Sequence, residues 1–287
     1  MGKNAIVISA SSDIALAVST DWCSNGWNVY GTYRNSSPSL EKVKSYQNLH
    51  LVHCDLLDNL SIEKACDFLL KACPRWDVLL FAPSRQEPVG SFHKVDFNEW
   101  EEGVQLNLLQ PLRVLHRLLP SRNPNPEIPE PCVLFFSGGG TNNAVVHYSS
   151  YTLSKIALIK MTELLDAELP EVRFVTIGPG WVKTKSHLPT LRLGPQWAGD
   201  NYQKTIEKLN GNECTPMQKI IDCCNWAIFT SSKGVKGRNF SVVFDSWGKI
   251  ALEKELEQDP NMYKLRRGKN SWQPEKSCSS NLNGSVK

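Results

Sequence analysis

Short apolar runs of strand length alternate along this chain with longer amphipathic runs. Residues 5–9, 27–33, 49–53, 78–82, 132–136, 173–177 and 239–244 read as strands. Asp13 is placed to cap a helix whose apolar content comes from Ile14, Leu16, Ala17, Val18 and Trp22, and Gly26 punctuates its end. Further helices are predicted over 61–72, over 97–119 with an interruption near Pro111, and over 149–169. Strands alternating with helices predict a parallel sheet covered on both faces, a doubly wound α/β fold of three layers. One domain is expected up to about residue 247. Residues 185–212 break the pattern with prolines, Trp197 and Tyr202, and read as a substrate loop with a short helix. A C-terminal extension follows over 248–275, and the Ser- and Asn-rich stretch 276–287 is expected to be disordered.

Composition narrows the class. With 287 residues, 41% hydrophobic and 21% charged, the chain is neither disordered, collagen-like nor a coiled coil. A net charge of +3 does not point to nucleic acid. The nine cysteines are scattered without a C-x-x-C, so reduced thiols are expected rather than disulfides or zinc. His53, His93, His147 and His187 are too dispersed for metal spacing. The apolar stretch 5–8 is too short for a signal-peptide core or a membrane span. The expectation is a cytoplasmic protein acting on a small molecule, with no nucleic-acid or membrane partner.

Candidate chemistry sits where strands end. In an open parallel sheet, ligands bind beyond the C-terminal strand ends, near the switch in strand order. The first such end reads Ser9-Ala10-Ser11-Ser12-Asp13-Ile14-Ala15, with Ser9, Asp13 and Ala15 where a dinucleotide-binding turn carries glycine. The second strand ends in Tyr33-Arg34: Tyr33 stands where an acid would bind the ribose hydroxyls, and Arg34 can pair with a 2′-phosphate instead. The strongest stretch is Ser137-Gly138-Gly139-Gly140 followed by Tyr151 and Lys155. Four residues apart, those two project from one helix face. An ammonium beside a phenol favours the phenolate, which would tune Tyr151 for acid–base work. Tyr148 stands seven residues before Lys155, a second spacing that stays open.

The chain resembles the short-chain dehydrogenase/reductase family over about residues 3–247. The resemblance rests on Ser137, Tyr151, Ser154 and Lys155, on Asn107, on Pro179-Gly180 with the downstream Thr184, and on Asp55-Leu56. It departs at the glycine-poor turn and at Phe81-Ala82-Pro83-Ser84, and Ser137 precedes Tyr151 by fourteen residues. The resemblance implies a single-domain Rossmann-type fold and NADPH-dependent reduction of a carbonyl, on a keto sugar or another anionic substrate. Tyr151 would be the acid, Lys155 its partner, Ser137 the group at the carbonyl oxygen, and Asn107 the holder of a water beside Lys155. Cofactor contacts would come from Ser9, Ser11, Ser12, Asp13, Ile14, Arg34, Asp55, Leu56, Ala82, Tyr151, Lys155, Pro179, Gly180, Val182 and Thr184. Lys183, Lys185, Arg192 and Trp197 are further candidates for an anionic substrate. A homodimer or homotetramer is also implied, built on the helices of Asn107 and Tyr151. Two other readings stay open: an enoyl-thioester reductase using Tyr148, and a non-catalytic dinucleotide-binding relative.

Overall fold

The computed structural model describes residues 2–268. Its elements run β1 (Asn4–Ile8), α1 (Asp13–Ser24), β2 (Asn28–Tyr33), α2 (Pro38–Val43), β3 (Leu49–His53), α3 (Asn59–Ala72) and β4 (Val78–Phe81). Next come α4 (Phe97–Val104), a π-helical turn (Gln105–Leu109), α5 (Gln110–Leu118), β5 (Cys132–Phe136), α6 (Ser149–Glu168) and β6 (Arg173–Gly178). After them lie α7 (Leu188–Leu193), α8 (Pro195–Ala198), α9 (Asp200–Asn210), α10 (Met217–Phe229), β7 (Arg238–Ser241) and α11 (Ile250–Gln258).

The seven strands form one parallel sheet in the order β3-β2-β1-β4-β5-β6-β7. Alternation along the strands divides their side chains between two cores. Ala5 and Val7 of β1 join the core that includes Val18, Trp22, Ile220 and Cys224. Ile6 and Ile8 join the opposite one, with Leu69, Leu115 and Leu158. Both faces are covered, which is why β4 and β5 are apolar and buried at every position. Phe81 and Phe135 stack at 5.1 Å in the second core, and burying each such ring contributes about 1.5–3 kcal/mol. Strand order reverses between β1 and β4, so a crevice opens beyond Ile8 and Phe81, which pair in register.

Several expectations are corrected. Ser12, not Asp13, is the N-cap of α1, and its side chain makes no capping bond. The predicted strand 239–244 stops at Ser241 because side chains turn the chain there: Asp245 accepts the Ser241 N–H at 2.6 Å, and Ser241 Oγ accepts the N–H groups of Val243 and Phe244. The region 185–212 holds α7, α8 and α9 instead of one short helix. Helices α2, α10 and α11 were not anticipated. The interruption in the 97–119 helix is the π-helical turn, which ends just before Pro111 in α5.

Beyond residue 247, α11 packs on the turn at Lys233–Val235. A Cβ on Gly234 would stand 2.8 Å from the Glu257 nitrogen. The Arg238 guanidinium donates to the carbonyl oxygens of Leu256 (2.6 Å) and Asp259 (2.9 Å). The stretch 276–287 lies outside the described residues. Among the described residues, no helix is long and apolar enough to cross a membrane.

Candidate active site

The turn after β1 is built without its own glycines. Ser9 takes the left-handed conformation, φ 65°, which costs a residue with a Cβ roughly 1–2 kcal/mol. Thr32 holds it there: Thr32 Oγ1 accepts the Ser9 N–H at 2.9 Å, and the Thr32 carbonyl accepts that of Ala10 at 2.8 Å. The close approach comes from the neighbouring strand. A Cβ on Gly31 would lie 2.7 Å from the Ala10 Cβ and 2.8 Å from Leu51, so glycine is required on β2. This residue escaped the sequence reading, because nothing local marks a strand glycine as part of the turn.

The turn opens into a cleft of about 500 Å³. Of the predicted cofactor residues, Ser9, Ser11, Ser12, Arg34, Asp55, Leu56 and Ala82 line it. Pro83, Ser84, Lys185 and Ser186 line it as well. Asp13, Ile14, Tyr151, Lys155, Pro179, Gly180, Val182 and Thr184 do not. Ile14 and Val182 pack into the core beneath, the Thr184 hydroxyl bonds Ser186 at 2.7 Å, and Asp13 turns to Lys185, whose N–H it accepts at 2.7 Å. Ser12 lines the cleft, and its hydroxyl is buried without a partner. The first-turn amides of α1 also have no intrahelical acceptor. A dinucleotide diphosphate fits such a set of donors.

The two halves of the Tyr151–Lys155 pair meet on α6. Serine and threonine hydroxyls on this helix bond back to it, Ser154 to the Ser150 carbonyl and Thr162 to that of Leu158. The Lys155 ammonium lies 5.7 Å from the centre of the Tyr151 ring and donates to the Pro83 carbonyl at 3.1 Å. Only 2% of Lys155 is exposed, and burial pushes its pKa down to about 8. The Tyr151 phenol is also shifted, upward: burial outweighs the hydrogen bond to the Ser84 side chain, which pulls the other way. The expected drift toward phenolate is therefore corrected, because desolvation, not the ammonium, dominates. At neutral pH the phenol keeps its proton. A Cβ on Gly138 would stand 2.7 Å from the Tyr151 oxygen, so that glycine makes room for the ring.

Asn107, fully buried on the π-helical turn, makes three bonds. It accepts the Arg85 N–H at 2.9 Å and donates to the carbonyls of Arg85 (2.7 Å) and Gly103 (2.9 Å). Both amide hydrogens are thus used within the protein. Asn107 fixes residue 85, two positions beyond the carbonyl that Lys155 binds. Ser137 donates to Asn239 Oδ1 at 3.0 Å. Asn239, like Ser84, was not foreseen, being brought in by a strand far along the chain. Tyr148 bonds the Thr190 hydroxyl at 2.7 Å and is 7% exposed. Of the expected substrate cations, Arg192 is paired with Glu87 and Lys185 lines the cleft. Trp197 packs over Gly90.

The family model described as short chain dehydrogenase matches residues 3–190. No curated protein matches the chain. Among solved structures, a short-chain dehydrogenase/reductase of Saccharomyces cerevisiae is 21% identical, with 86% of this chain and 98% of that one covered and a TM-score of 0.73. A single-substitution variant of actinorhodin polyketide ketoreductase with NADPH is 18% identical, covering 84% and 95%, TM-score 0.70. A short-chain dehydrogenase of Shigella flexneri complexed with NADP is 19% identical, covering 84% and 96%, TM-score 0.68. At these identities the likeness to solved structures is one of fold.

Proposed function

The chain belongs to the short-chain dehydrogenase/reductase family and is an NAD(P)-dependent oxidoreductase, and from that premise we propose that it reduces a carbonyl group to a hydroxyl with NADPH. The observation that carries this reading is the buried Lys155 ammonium beneath a Tyr151 ring whose phenol burial keeps protonated. A proton donor is what a developing alkoxide needs. Tyr151 gives its proton to that oxygen. Lys155 then stabilises the phenolate left behind, since an opposite charge close by in a poorly solvated site favours the charged form. On binding substrate, Ser137 releases Asn239 Oδ1 and gives its one hydroxyl hydrogen to the carbonyl oxygen. Asn107 acts at one remove, holding the segment whose Pro83 carbonyl positions Lys155.

The bound nicotinamide dinucleotide supplies the hydride. Ser9, Ser11 and Ser12 face its diphosphate, Asp55 and Leu56 its adenine, and Ala82 the inner wall of the same cleft. Arg34, exposed at the end of β2, has no ion pair or hydrogen bond among the described residues. It is free to bind a 2′-phosphate. The NADPH and NADP carried by two of the structural neighbours accord with that choice. Pro179, Gly180, Val182 and Thr184 stand outside this cleft, and no cofactor contact is assigned to them. The substrate is a small molecule, with an anionic keto compound favoured by the basic residues at the cleft. A homodimer in the cytoplasm completes the reading.

The test is NADPH consumption across ketones, keto sugars and enoyl thioesters. Turnover of a ketone, abolished by Tyr151→Phe, supports the reading. Turnover of enoyl thioesters alone, or binding with no turnover of any class, overturns it.

A further inference from the structure

The turn that opens α1 carries an acid where a diphosphate would be repelled, and that acid is already neutralised. Asp13 Oδ2 accepts the backbone N–H of Lys185 at 2.7 Å, and Asp13 Oδ1 lies 3.5 Å from the Lys185 ammonium. The same ammonium donates to the Ser11 carbonyl at 2.6 Å. Three contacts thus fix the segment after β6 onto the nucleotide turn. The ammonium stands among the groups that would meet a diphosphate: Lys185 lines the cleft together with Ser11 and Ser12, whose hydroxyl is buried and unpartnered. The other two basic side chains lining the cleft are placed differently. Arg85 is bound to Glu102 at 2.9 Å, and Arg34 belongs to the end of β2.

Resting on the dinucleotide reading above, we propose that Lys185 is the cation that binds the cofactor's diphosphate, and that Asp13 is its counter-ion in the free protein. The Asp13 and Lys185 side chains are 32% and 52% exposed, so solvent leaves little net attraction in their ion pair. A diphosphate carries more charge and more acceptor oxygens, and takes the ammonium by charge-assisted hydrogen bonds. Asp13 keeps the Lys185 N–H, so the segment stays docked while the ammonium turns toward the ligand. The arrangement accounts for an acid in a position that suits glycine: its charge is cancelled by the group that binds the phosphates.

Calorimetric titration of the full chain with NADPH, NADH and 2′-AMP tests the assignment without reference to turnover. Lys185→Met is expected to weaken both dinucleotides by the same factor, roughly 10- to 150-fold for a charged hydrogen bond. It should leave 2′-AMP, which has no diphosphate, unchanged. Lys185→Arg should retain most of the affinity. Adding Asp13→Asn to Lys185→Met should restore part of the loss by removing the unbalanced carboxylate. Dinucleotide binding unaltered by Lys185→Met overturns the assignment alone, as does an equal loss of 2′-AMP. Wild-type protein that binds neither dinucleotide overturns the reading of the cleft and the assignment with it.

Discussion

Ser137, just past the end of β5, donates its hydroxyl hydrogen across the tip of β6 to Oδ1 of Asn239 on β7, 3.0 Å away. The bond passes the end of β6 because the residue there is Gly178, where a Cβ would come within 3.2 Å of Ser137 Oγ. Ser137 is only 4% exposed, so its rotamer depends on this partner. Asn239→Ala is expected to lower kcat for carbonyl reduction about fivefold, the value of one ordinary hydrogen bond. Cofactor affinity should not change, and Asn239→Asp should keep most of kcat. Steady-state kinetics with a calorimetric Kd separates this positioning role from general damage, which would lower both.

Two tyrosines precede Lys155, and the structure distinguishes them. Tyr151 has the lysine beside its ring, whereas Tyr148 spends its hydroxyl on Thr190. Tyr151→Phe should reduce turnover by roughly 10² or more, the usual loss when a general acid is removed. Tyr148→Phe should cost far less. The reverse order in a side-by-side assay would favour Tyr148 as the acid.

Lys155 is held at a cost to the fold. Its pKa falls from the ordinary 10.5 to about 8, so folding disfavours its charge. Below about pH 8 both folded and unfolded chains carry the proton and the full penalty stands, about 3 kcal/mol. Between pH 8 and 10.5 the unfolded chain holds more protons, so stability rises with pH. Lys155→Met should therefore stabilise the protein at pH 7 by roughly 1–3 kcal/mol, after allowing for the unpaired Pro83 carbonyl. The gain should shrink toward pH 10.5 while activity is lost. Urea unfolding at pH 7 and pH 10 reads this directly, and an equal or smaller gain at pH 7 contradicts it.

Arg34 has no partner to lose among the described residues. Arg34→Ala should weaken NADPH about tenfold to 150-fold, the range for a charged hydrogen bond, and leave NADH nearly unchanged. Titrations with the two cofactors check this. Equal weakening of both would assign Arg34 to the fold instead.

On α6, Leu153 is 51% exposed and Leu164 45%, and eleven residues bring them back to one side of the helix. Nearby, the rings of Phe92, Phe97 and Trp100 form an aromatic cluster at the start of α4, with Phe92 and Phe97 more than half exposed. An isologous dimer would cover such a face. Light scattering at micromolar concentration should give twice 32.3 kDa, and Leu153→Glu with Leu164→Glu should halve it. A fully active wild-type protein with the mass of one chain would refute the dimer.

What the amino-acid sequence determined by itself is whatever depends on near neighbours and on burial. Strands such as Leu49–His53 and Cys132–Phe136 were legible to the residue, the second because a run covered on both faces must be apolar throughout. Tyr151 and Lys155 were legible as a pair, since helical geometry places residues four apart side by side. Only the tertiary structure decided the partners of the polar groups. Asp13 reads locally as a cap, yet its acceptor atoms serve a residue 172 positions away. Ser137 finds Asn239 across 102 positions, and Asn107 finds Arg85 across 22. Residues 185–212 read locally as a substrate loop with a short helix, and the bond that ties α7 to Tyr148 through Thr190 is likewise visible only in the fold. Periodicity records which side of an element is buried, but a hydrogen bond between distant residues leaves no periodic trace. It exists only once the sheet has brought the two strand ends together.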